Sequence, residues 1–301
     1  MRVTRMPPFV SGLVSGVFGF LPGVLPLSLI PLTPRGLRAA ALEAAFLAGR
    51  TLLYPVGISQ ERYPPTSVTR EREGTNCRRP SDGGGEDGRE RPPVLLLHGF
   101  IDNRSVFTLL RRSLTRNGWR DVHALNYSPL TCDIRRAAER LAECVDEIRK
   151  ATGRRRIDIV GHSMGGLIAR YYVQRMGGDT RVRTLVTLGT PHSGTRVAPL
   201  MSAHPIVRQL RPGSEVLREL AAPAPRCRTR FVAFWSDLDQ LMDPAETARI
   251  DHPDLDACNI RVRGLGHLAL PAHWEVAAAI RAELTAGTRP TRPDGGAAGA
   301  S

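Results

Sequence analysis

Gly161-His162-Ser163-Met164-Gly165 constrains this chain more than any other stretch. A short β-branched apolar run, Arg156-Ile157-Asp158-Ile159-Val160, precedes it. Gly166-Leu167-Ile168-Ala169-Arg170-Tyr171-Tyr172-Val173 follows and reads as a helix. Strand, tight turn, helix is the context in which a G-x-S-x-G pattern presents a reactive serine. The turn is strained, and side chains two residues either side of the serine would collide with the neighbouring strand and helix.

A serine hydroxyl needs help to attack. It requires a histidine to take its proton, a carboxylate to hold the histidine in one tautomer, and N–H donors for the developing oxyanion. The chain has eight histidines, at 98, 123, 162, 192, 204, 252, 267 and 273. His267 stands in Gly264-Leu265-Gly266-His267-Leu268, just past a late strand-like run, Ile260 to Arg263. The carboxyl edge of a parallel sheet is where ligands gather. His273, at the start of the last helix, is the weaker candidate. His98 and His162 read as structural.

The strand-like Arg230-Phe231-Val232-Ala233-Phe234-Trp235 runs into a loop with three aspartates, Asp237, Asp239 and Asp243. Asp239 sits in mid-loop before the apolar pair Leu241-Met242 and is chosen, with Asp237 its main rival. Asp243 precedes Pro244 and reads as a turn residue. Oxyanion donors are expected from the backbone N–H groups of Met164, after the serine, and Phe100, after the apolar run Val94 to Leu97 and His98-Gly99.

These segments resemble the α/β-hydrolase superfamily, and more narrowly bacterial lipases and esterases of the actinomycete type. Val94 to Phe100, Gly161 to Gly166 and Leu188-Gly189-Thr190-Pro191-His192-Ser193-Gly194-Thr195 carry the likeness. Phe234 to Asp239 and Gly264 to Leu268 extend it. The resemblance implies Ser163 as nucleophile, Asp239 as acid and His267 as base, with Phe100 and Met164 at the oxyanion. It implies a serine carboxylic-ester hydrolase acting on triacylglycerol or related acyl esters, with neither metal nor organic cofactor. An acyltransferase using the same three residues, and a non-catalytic envelope-binding protein on a hydrolase scaffold, are the alternatives. One fold hosts many chemistries.

Strands and helices alternate, which predicts a mostly parallel sheet flanked by helices, the α/β-hydrolase fold. Strands are expected at 94–97, 122–126, 156–160, 183–188, 230–235 and 260–263, and helices at 105–117, 132–151, 164–175 and 271–285. The catalytic domain is expected to cover 93–286. Residues 191–226 break the alternation and read as a short helical cap beside the acyl site. Residues 61–92 and 287–301 are rich in Gly, Pro and charge and read as a disordered linker and tail.

The first 60 residues are of a different kind. Residues 6–34 carry no charge, a run long enough to span a membrane and longer than a usual signal core, although Pro22, Pro26, Pro31 and Pro34 interrupt it; an uncleaved anchor, a secretion signal and an interfacial segment are all open readings. Gly36 to Tyr54 reads as an Ala-rich helix. Envelope association or export is expected, with a cytoplasmic location the alternative.

The formal net charge is +13, and Lys150 is the single lysine. Such a surface suits anionic lipid. No nucleic-acid-binding signature accompanies it, and nucleic acid is not expected as a partner. The five cysteines, at 77, 132, 144, 227 and 258, include no C-x-x-C pair, so no zinc site is expected. Cys227 and Cys258 each precede a late strand, which makes a disulfide between them plausible in an exported protein and free thiols equally so.

Overall fold

The computed structural model describes residues 34–57, 91–100, 102–127, 133–197 and 204–286. The expected linker 61–92 (apart from Arg91 and Pro92), the tail 287–301 and the apolar run before Pro34 lie outside the described residues, as do Cys77 and Cys132.

Apolar β-branched runs bounded by turns build a six-stranded sheet. Its strands are β1 (Val94–Leu97), β2 (Val122–Leu125), β3 (Ile157–His162), β4 (Val182–Leu188), β5 (Arg230–Ser236) and β6 (Asp256–Val262). The order is β2-β1-β3-β4-β5-β6, and every pairing is parallel. β1 and β3 are buried along their whole length, as strands covered on both faces must be. The chain passes from β1 out to β2 and returns beyond β1 to β3. It therefore leaves a crevice at the carboxyl ends of β1 and β3.

β6 starts at Asp256, four residues before the expected position. It is an edge strand, half open to water, so polar residues such as Asp256 and Asn259 are accommodated there and no apolar run announces it. This early start corrects the possible disulfide. Cys258 lies inside β6 in register with Val232, whereas Cys227 lies before β5 begins. The two cysteines therefore sit at different levels of the sheet. Cys227 and Cys258 are free thiols, as is Cys144.

Helices cover both faces. α1 (Pro34–Gly57) precedes the sheet. α2 (Thr108–Arg116) is entered through a 3-10 turn, Arg104–Phe107, in which the Ser105 N–H donates to the Asn103 side chain and the Arg104 N–H to that of Asn126. α3 (Ile134–Thr152) begins at the Asp133 cap and ends on the left-handed Gly153. α4 (Met164–Arg175) follows β3, and α7 (Trp274–Ala286) closes the fold. Alternate strand residues face alternate layers. Leu95, Leu97, Ile159 and Phe231 meet α3 and α4, while Leu96, Val160, Val232 and Phe234 meet α2 and α7. Leu42 and Phe46 of α1 pack on the second layer.

Within the 191–226 segment lie two short helices, α5 (Pro205–Arg208) and α6 (Glu215–Ala221). Ile206, Val207, Leu210, Val216 and Leu220 anchor them in the first layer. The segment flanks the sheet's carboxyl edge, where the His204 ring lies 5.4 Å from that of Phe100.

Candidate active site

Ser163 occupies the turn between β3 and α4 with φ 53° and ψ −126°, the one non-glycine residue at positive φ among the described residues. Its neighbours make that geometry obligatory. A Cβ on Gly161 would lie 2.5 Å from Gly166 Cα, and one on Gly165 would lie 2.3 Å from the His98 carbonyl oxygen. The Ser163 N–H donates to the Leu188 carbonyl at 2.9 Å, and the Thr190 hydroxyl donates to the Ser163 carbonyl at 2.8 Å. The Leu-Gly-Thr-Pro-His segment thus locks the turn from β4. Met164, the first residue of α4, has an N–H with no acceptor four residues back in the helix.

His267 lies in the loop after β6, and Asp239 in the loop after β5. His267 Nδ1–H donates to Asp239 Oδ2 at 2.9 Å, with the Asp239 side chain fully buried and that of His267 nearly so. This bond leaves Nε2 as the free ring nitrogen. The imidazole sits beside the serine turn: its centroid is 4.7 Å from the ring of His162, and His162 Nε2–H donates to the His267 carbonyl at 3.2 Å. Phe100 lies just past β1. There a Cβ on Gly99 would come within 3.1 Å of Ser163 Cβ, so this loop abuts the serine.

The rival residues go elsewhere. Asp237 pairs with Arg261 at 2.9 Å on the surface. The Asp243 N–H donates to the Thr195 hydroxyl. His273 enters α7 with its N–H on the Ala269 carbonyl. His98 stacks on Tyr127 at 4.3 Å and donates to the Gly99 carbonyl, and burial lowers its pKa to about 4. His162 is held well below the usual histidine range by burial, then by the neighbouring His267 and Arg50. Both are neutral structural groups.

A family model described as the alpha/beta hydrolase fold matches residues 92–213. The mature form of Bacillus licheniformis lipase BlEst2 superposes with a TM-score of 0.57 at 18% identity, over 65% of this chain and 93% of that one. The chain has the α/β-hydrolase fold. The chain is also 30% identical to a triacylglycerol lipase of Vibrio cholerae over 136 residues, 44% of this chain and 40% of that protein. It is 29% identical to a triacylglycerol lipase of Pseudarthrobacter phenanthrenivorans over 116 residues, 36% and 35% of the two chains. The matched region thus spans well under half of each relative.

Two contributors to the site escaped the sequence reading. Gly189, at φ 53°, backs the Asp239–His267 pair so closely that a Cβ there would lie 2.7 Å from Asp239 Oδ2 and 3.0 Å from His267 Nδ1. Its place in the Leu-Gly-Thr-Pro-His motif was the available signal. The second is Glu43, whose carboxylate accepts from the Leu268 N–H at 3.0 Å and the Ala269 N–H at 2.9 Å. Being the one acidic residue of α1 was its only mark in the sequence.

Proposed function

We propose that this α/β-hydrolase is a serine carboxylic-ester hydrolase of the lipase and esterase kind. The observation that carries the reading is the buried 2.9 Å bond between His267 Nδ1 and Asp239 Oδ2, made beside a serine at positive φ. Asp239 holds the imidazole in the tautomer whose Nε2 accepts a proton. His267 takes the Ser163 proton as Oγ attacks the ester carbonyl, and the N–H groups of Phe100 and Met164 receive the oxyanion. The tetrahedral intermediate collapses, the C–O bond to the alcohol breaks, and His267 returns the proton to the leaving alkoxide. Water, deprotonated by His267, then attacks the acyl-enzyme and releases the acid with Ser163 restored. The names of the triacylglycerol lipase relatives favour acyl glycerols and related lipid esters as substrates.

Ser163→Ala is expected to abolish turnover of p-nitrophenyl esters and of emulsified triglyceride while the thermal midpoint stays within a few degrees of wild type. A variant that retains activity would show that the nucleophile lies elsewhere.

We propose further that the protein works at the cell envelope or after export, with α1 resting on anionic lipid. Leu37, Leu52 and Leu53 of α1 are exposed, Leu52 at 80%, and the uncharged residues 6–33 lead directly into that helix. The net charge of +13 complements an anionic surface. Among the described residues no helix is long and apolar enough to cross a membrane.

A further inference from the structure

α1 is joined to both loops that flank Ser163. At its middle, the two Glu43 oxygens each accept one backbone N–H, from Leu268 and Ala269, the two residues directly after His267. Farther along, Arg50 forms an ion pair with Asp102 of the loop after β1. Near the helix end the Asn103 amide donates to the Tyr54 carbonyl at 2.9 Å, and the Asn126 amide to the Gly57 carbonyl at 2.7 Å. One helix therefore ties the histidine loop to the loop that carries Phe100.

The histidine loop needs such a tie. Gly264, at φ 76°, and Gly266 bracket Leu265, so the backbone approaching the histidine is intrinsically permissive. Besides the His267–Asp239 bond, other bonds restrain it: the Ser236 hydroxyl donates to the Leu265 carbonyl, His162 donates to the His267 carbonyl, and the Ala272 and His273 N–H groups turn back to the Ala269 carbonyl. None of these holds the Leu268 and Ala269 N–H groups. Gly266 makes room for the carboxylate, because a Cβ there would lie 2.4 Å from Glu43 Cγ and Cδ. The titratable groups that face Glu43 are Arg50 on its own helix, His267 and Asp239.

We propose that Glu43 is a positioning residue for His267: through Leu268 and Ala269 its carboxylate fixes the loop that aims the imidazole at Ser163. The proposal rests on the ester-hydrolase reading and adds a remote residue to it, 224 positions upstream of the histidine. Burial raises the Glu43 carboxyl above its ordinary range, and the two N–H donors oppose that shift.

The test uses the full chain and three proteins: wild type, Glu43→Gln and Glu43→Ala. Gln keeps the shape but sets an amide N–H₂ against one of two N–H donors, so it preserves the fold if Ala does not. Each protein is assayed for the rate of labelling by a fluorophosphonate probe, for kcat and KM on p-nitrophenyl butyrate from pH 5 to 9, and for its thermal midpoint. Misaiming by about 1 Å is enough to lower rates on the order of 100-fold. Labelling rate and kcat are expected to fall about 10- to 100-fold, with KM within about twofold. Unchanged labelling and kcat would overturn the proposal, even with a lowered thermal midpoint, because Glu43 would then only anchor the helix. A fall in kcat and labelling with KM unchanged supports positioning through the backbone. Wild-type protein that fails to label would overturn the ester-hydrolase reading itself, and this proposal with it.

Discussion

At the scale of single residues, Gly189 sets the space in which Asp239 and His267 meet. Gly189→Ala places a methyl group 2.7 Å from Asp239 Oδ2 at a backbone position, φ 53°, that L side chains rarely adopt. The buried pair has to separate or tilt. Ester turnover is expected to fall on the order of 100-fold, through kcat, while circular dichroism remains that of wild type. Normal kcat in the variant would mean that the pair tolerates displacement. Ser163 was legible because its chemistry and its turn are local. Asp239 was chosen over Asp237 for its place in mid-loop before Leu241-Met242, and it is Asp239 that meets His267 while Asp237 points to Arg261 at the surface. Glu43 was not legible. Its partners lie 225 and 226 residues away, and no local pattern encodes such a contact.

At the scale of elements, the strands read well where they are covered on both faces and poorly at the edge. β1 is a continuous apolar run and β3 is fully buried with Asp158 its one charged residue, so their limits fall close to those expected. β6 faces water on one side, and its first four residues gave no apolar signal. α1 was expected as a helix, but which of its faces would be covered was not legible, because Ala and Leu are spread all round it. The answer came from packing: Leu42 and Phe46 turn inward, and Leu37 and Leu52 turn out. Leu52→Asp is therefore expected to leave soluble p-nitrophenyl ester hydrolysis unchanged and to weaken co-sedimentation with anionic phospholipid vesicles several-fold. Equal sedimentation of both proteins would overturn the membrane contact of α1.

At the scale of the whole molecule, buried neutral histidines set the response to acid. His98 is lowered to about 4, and His162 and His192 lie well below the ordinary value, in each case chiefly through burial. In the unfolded chain all three titrate near 6.5. Below that pH the unfolded state binds protons that the folded state refuses, so stability is complete above about pH 6.5 and declines as pH falls. Each histidine contributes about 1.4 kcal/mol per pH unit until its folded value is reached. Glu43 and Asp158, both raised by burial, act in the opposite sense, because protonation favours the folded form once the pH nears their folded values. Urea midpoints are expected to drop steadily from pH 7 to pH 5; a flat profile would mean that these rings are protonated in the native state.

The route of the chain between α1 and β1 carries one more consequence. Residues 58–90 are the sole covalent connection between α1 and the sheet, and they are dense in arginine and glutamate. A protease cut anywhere in that stretch would leave the helix attached only by its non-covalent contacts. Docking that is now intramolecular would become an encounter between two fragments, and the high effective concentration supplied by the tether would be lost. Specific activity of the nicked protein would then depend on dilution, a property foreign to an enzyme whose working parts all belong to one unbroken domain.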